Sequence, residues 1–131
     1  MNTKLSEYGK YLQNMGSILI KLSDEIVFLS NSSGEDTHQK LVAYTKNFDE
    51  NLKGLKTTIP PNIILEEHSI LIHGLNEMSN AFQHMINSID YTENNFNVDE
   101  YNVSLSIINK NKNSLLNTVE QILNKIIHSL F

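Results

Sequence analysis

The chain of 131 residues contains no cysteine, no tryptophan and no arginine, and only two prolines and five glycines. Without cysteine there can be no disulfide, no thiolate zinc site and no thiol nucleophile. All ten basic residues are lysine, against fifteen acidic residues, for a net charge of −5. Arginine is the side chain that forks onto phosphates and guanine edges, and an acidic chain gains little from counterion release. Nucleic acid is therefore not an expected partner. So few glycines and prolines leave little material for turns, which favours a small number of long elements.

No apolar run approaches the roughly 18 residues of a membrane-spanning helix. The first ten residues are polar and lack the apolar stretch of a signal peptide. The expectation is a cytoplasmic protein, or one at the extracytoplasmic face of the envelope if a leader has been removed. Hydrophobic residues make up 40% of the chain and charged ones 19%, proportions that suit a folded domain. Asparagine is frequent, eighteen residues, and concentrates in the last third; coding bias accounts for this as well as function does.

What the chain does have is helical periodicity. Leu5, Tyr8, Leu12, Met15, Leu19, Leu22, Ile26 and Leu29 follow an unbroken 3-4 spacing, which lines one face of a single helix over about 4–30. Thr3 is a candidate N-cap, and Ser30 to Gly34 forms a turn cluster. A second stripe of Leu41, Tyr44, Phe48, Leu52 and Leu55 gives a helix over 36–57, with Ser33 and Asp36 as a candidate capping box and Pro60-Pro61 as its stop. The third stripe runs through Leu65, His68, Leu71 or Ile72, Leu75, Met78, Phe82, Met85 and Ile89, with Pro61 able to open a helix over 62–90. Tyr91 to Asn97 reads as a loop. Asn97 and Glu100 then start a helix over 98–130, with Val98, Tyr101, Leu105, Ile108, Lys112, Leu115, Val119, Ile122 and Ile126 inward. Short connections between four long helices predict one all-α domain over 1–131, an antiparallel four-helix bundle of up-down-up-down topology.

Chemistry-bearing residues are few. His68 falls on the third seam, where a buried imidazole is a satisfied core histidine, a pH-sensitive group or a metal ligand; the first is the preferred reading. His73, Glu77 and His84 share a helical face and are sensible ligands for zinc or iron. At 1.5 Å of rise per residue, however, His73 and His84 stand about 16 Å apart and cannot hold one ion together. Carboxylate-bridged di-iron bundles need Glu-x-x-His on two helices, whereas Glu35 and His38 supply one, at a helix end. Lys112 is the charge that the strict register sends inward, unless a local rotation turns Leu116 in instead. No phosphate loop, dinucleotide glycine pattern, nucleophile elbow or His-Glu-x-x-His occurs. No enzyme activity, metal or cofactor is expected.

The C-terminal tail is apolar on more than one face. Ile122 and Ile126 fill the inward stripe, leaving Leu123, Ile127, Leu130 and Phe131 as a candidate interface for a protein partner or for a homodimer. Ile20 and Val27 also lie off their helix's main stripe.

The segment from Leu52-Lys53-Gly54-Leu55 through Pro60-Pro61 to His68 and Gly74-Leu75 resembles the central hairpin of small helical-bundle proteins of Gram-positive bacteria, some lipoprotein-borne. Their pattern is Leu-x-x-Leu, a proline turn, then a helix with an early histidine. The likeness covers about residues 36–90, and this chain lacks the lipid-attachment cysteine. It implies an envelope-associated binding or structural module and carries over no active site. The leading expectation is thus a non-catalytic interaction or structural module. The alternatives are a metal- or ligand-binding bundle using His68, His73, Glu77 and His84, or a small regulatory protein of a mobile element.

Overall fold

The computed structural model describes the backbone of residues 3–30, 34–90 and 95–130, and the side chains of 7–22, 38–88 and 97–129. It is all-helical, with four long helices: α1 (Thr3–Ser30), α2 (Gly34–Thr57), α3 (Leu65–Asn87) and α4 (Val98–Leu130). A 3-10 turn, Asn62–Ile64, precedes α3, and a two-residue antiparallel ladder pairs Ile89 with Phe96 and Asp90 with Asn95 between α3 and α4. Consecutive helices pack on one another, and α1 also packs on α4.

The helix ends follow from local chemistry. After Thr57 the chain cannot continue as helix toward Pro60-Pro61, so Thr58 closes α2 by donating its N–H to the Gly54 carbonyl at 3.1 Å. Pro61 does not open α3. It sits in extended conformation at the head of the 3-10 turn, and α3 begins four residues later. The helix expected over 62–90 is accordingly shorter at both ends, because Ser88 caps it at its C-terminus and the 89–96 ladder follows. α4 starts as expected: the Asn97 Oδ1 accepts the Glu100 N–H at 3.0 Å, and Asp99 and Glu100 lie at the positive end of the dipole. The side chains of Thr3, Ser33 and Asp36, on which the expected caps depend, lie outside those described.

The apolar stripes meet in one core. Tyr8, Leu12, Met15, Leu19 and Leu22 of α1 are all buried, as are Leu41, Phe48, Leu52 and Leu55 of α2. The Phe82 ring of α3 makes T-shaped contacts with the Tyr44 and Phe48 rings of α2, at centroid distances of 5.4 and 5.2 Å. Such edge-to-face contacts add to plain area burial. Two glycines allow close approach: a methyl at Gly54 would stand 2.4 Å from the Tyr11 ring, and one at Gly74 2.5 Å from Leu115.

Two stripe positions are corrected. Leu65 and Val98 are exposed, at 53% and 51%. Ile64 is fully buried in place of Leu65, because strict 3-4 alternation counted back from Leu71 through His68 reaches Ile64, the last residue of the 3-10 turn. Val98 is the first residue of its helix, one step before the inward position taken by Tyr101. The core also holds hydroxyls. Thr45, Ser88, Ser104 and Thr118 are buried, each hydrogen-bonded to a carbonyl three or four residues earlier. No described buried side-chain polar atom lacks a partner.

Candidate functional site

The corner between α2 and α3 lies against the C-terminal part of α4. The 3-10 turn packs on α4, and Lys125 of α4 is hydrogen-bonded and ion-paired to Glu67 in the first turn of α3. The lysine holds the Glu67 carboxyl below its ordinary value, chiefly through that hydrogen bond. Of the three successive apolar residues here, only Ile64 turns in. Ile63 and Leu65 remain about half exposed, as does Ile127 of α4, and Ile59 just before the prolines is 62% exposed. Consecutive helical residues point in directions roughly 100–120° apart, so a run of three apolar residues across the end of the 3-10 turn and the start of α3 leaves two outside.

The tail residues therefore divide. Leu123 is half-buried and packed against the core, whereas Ile127 is exposed. The side chains of Leu130 and Phe131, like that of Val27, lie outside the described residues. Ile20 is 69% exposed, beyond the reach of the core.

The histidines proposed as ligands go separate ways. His73 pairs with Glu77 one turn on, at 3.2 Å, in the open. His84 faces Glu100 of α4 at 3.7 Å, also in the open. His68 turns toward the inside. Its Nδ1 is 2.8 Å from the hydroxyl of Tyr8, and the two rings lie 5.4 Å apart, tilted by 50°. Among the described residues no three histidine, aspartate or glutamate side chains are grouped as a bound metal requires. His38 is half-buried, and Glu35 of the Glu-x-x-His pattern has its side chain outside the described residues.

Burial sets the electrostatics of the Tyr8–His68 pair. It raises the Tyr8 hydroxyl far above the ordinary tyrosine value and lowers the His68 imidazole below its own. Both groups are thus neutral at neutral pH; with the ring hydrogen on Nε2, the Tyr8 O–H donates to Nδ1. Sequence reasoning placed each residue on an inner seam without pairing them. The available signal was Tyr8 itself, since a tyrosine at a core position needs a partner for its hydroxyl.

A second polar contact was not anticipated. The Ser79 hydroxyl of α3 donates to Asp49 of α2 at 2.6 Å, at the base of a shallow groove lined also by Lys53, Lys56, Asn76 and Asn80. Farther along, Lys112 is half-buried, neither fully inside nor displaced by Leu116, which is itself half-buried against the core. Beside it the Asn111 side chain donates to the Ile107 carbonyl at 2.9 Å, within its own helix.

No helix among the described residues is long and apolar enough to cross a membrane. Comparison of the chain with protein-family models, with curated proteins and with solved structures gave no match.

Proposed function

We propose that this chain is a non-catalytic interaction module, an antiparallel up-down-up-down bundle that binds a protein partner, most simply a second copy of itself, through the apolar corner at one end. Support for the topology comes from the cross-helix pairs. Tyr11 meets Gly54 while Ile18 meets Tyr44; Glu67 meets Lys125 while His84 meets Glu100. In each pairing, residues later on one helix meet residues earlier on the next, as antiparallel neighbours do.

The observation that carries the functional reading is the exposure of Ile59, Ile63 and Leu65 on a corner packed against the part of α4 that exposes Ile127. Apolar surface is worth about 25 cal/mol for each Å² removed from water, so a few such side chains per subunit supply several kcal/mol before the cost of association. A two-fold pairing uses the same patch twice and closes the assembly. The acidic balance and the absence of arginine favour a protein partner over nucleic acid.

Sedimentation equilibrium at high micromolar concentration tests the reading. The intact chain should be a dimer, and Ile63→Glu combined with Ile127→Glu should give a folded monomer, because both side chains are half exposed and neither supports the core. A monomeric intact chain would refute self-association through this corner, and so would a double variant that remains dimeric.

A further inference from the structure

We propose that Tyr8 and His68 form a proton-operated clasp that holds the first turns of α1 to α3 and loosens in mildly acidic solution. α1 and α3 share no extended seam in the fold, since each packs chiefly on α2 and α4. The hydrogen bond between Tyr8 and His68 nevertheless joins them, at 2.8 Å, from a tyrosine with no exposed surface.

Protonation acts on this bond directly. Only the neutral imidazole offers a lone pair at Nδ1; the imidazolium carries hydrogens on both ring nitrogens. The Tyr8 oxygen could then accept from the ring, but the hydroxyl proton would be left in the interior without an acceptor, which a buried polar group tolerates poorly. Among the described residues, no group around the ring offsets the new charge. From α1 the facing titratable group is Tyr8, held neutral by its burial. On α3 the adjacent Glu67 is engaged by Lys125 of α4. No described charge on α2 or α4 shifts the imidazole in either direction. Burial is accordingly the cause of the lowered His68 value. His68 itself is only half-buried, so solvent protons can reach it.

The direction of the effect follows from proton counting. A released or unfolded His68 binds its proton more readily than the clasped one, so falling pH favours release. The clasp has its full strength above the ordinary histidine value of about 6.5. It weakens as pH falls from there toward the lowered value in the fold, and below that value it changes no further.

Two measurements test this on the intact chain. Nuclear magnetic resonance titration of the imidazoles should find His68 titrating below the ordinary histidine value of about 6.5; a midpoint at or above that value would overturn the proposal. Amide hydrogen exchange, corrected for its intrinsic pH dependence, should show protection around Tyr8–Leu12 falling between pH 7.5 and 5. The fall should reach up to about tenfold for each unit by which the fold lowers His68. His68→Gln keeps a hydrogen-bonding group opposite Tyr8 but cannot be protonated there, and should abolish the step. An identical step in that variant would overturn the proposal; if the variant does not fold, the titration alone decides.

Discussion

The layer around Phe82 and the corner from Ile59 to Leu65 are built from the same kinds of side chain and end in opposite states. Around Phe82, Tyr44 and Phe48 make T-shaped ring contacts, and Met78, Met85 and Leu41 are as deeply buried as Phe82 itself. At the corner, three of four large aliphatic side chains, Ile59, Ile63 and Leu65, stay largely in water. Hydrophobicity is comparable, so it does not explain the difference. Geometry does. In mid-bundle each helix has a neighbour on both flanks, and a 3-4 stripe is covered along its whole width. At the corner two prolines and a 3-10 turn replace the regular repeat, and only Ile64 finds the interior.

Breaking the well-packed side of this comparison should have the largest effect. Phe82→Ala removes the ring on which the two others converge and leaves a cavity where a buried ring stood. An equilibrium urea series should find a loss of about 3–5 kcal/mol. A loss below about 0.5 kcal/mol would place Phe82 at the surface and invalidate the register of α3.

Close approach in the interior gives the next effect. Alanine favours helix over glycine by up to about 1 kcal/mol, and at Gly9, where an added methyl would meet nothing within 4 Å, that gain should be realised in full. At Gly54 the same methyl would collide with the Tyr11 ring at 2.4 Å, an overpacking that costs about 1–3 kcal/mol. Gly54→Ala should therefore lower the thermal midpoint while Gly9→Ala raises it. Equal shifts of the same sign would mean that α1 and α2 are not pressed together at Tyr11.

How much of this was legible in the sequence depends on where the repeat is regular. The α1 stripe from Tyr8 to Leu22 is buried position by position, and the Asn97–Glu100 start of α4 is present as the spacing implied. The rise of a helix alone also separates His73 from His84, and the two indeed bind different carboxylates. The misplaced residues, Leu65 and Val98, lie at helix starts: strict 3-4 alternation counted back from Leu71 reaches Ile64 and not Leu65, and Val98 keeps the count but stands at the first residue of its helix, outside the core. Buried Thr45, Ser104 and Thr118 were invisible to a count of apolar residues, because each hydroxyl satisfies itself on a carbonyl of its own helix. The Tyr8–His68 contact needed the rotation and axial alignment of two non-adjacent helices at once. Periodicity gives the first approximately and the second not at all.

The smallest expected effect tests the corner itself, within three consecutive residues. Ile64 has no exposed surface, whereas Ile63 and Leu65 are 48% and 53% exposed. Ile64→Ala should cost about 2–5 kcal/mol, as large buried aliphatics do, while Ile63→Ala and Leu65→Ala should each stay within about 0.5 kcal/mol. These values hold for denaturation at protein concentrations too low for association. A cost at Leu65 equal to that at Ile64 would turn Leu65 inward and remove the division between inner and outer residues on which the exposed corner rests. The comparison sharpens when the same series is repeated at high micromolar concentration. If a second copy covers the corner, the native state is stabilised by mass action, and the Ile63 and Leu65 variants lose that added stability while gaining nothing in its place. Their cost should then rise with concentration, whereas the cost at Ile64, set inside one subunit, should already be present in the dilute protein.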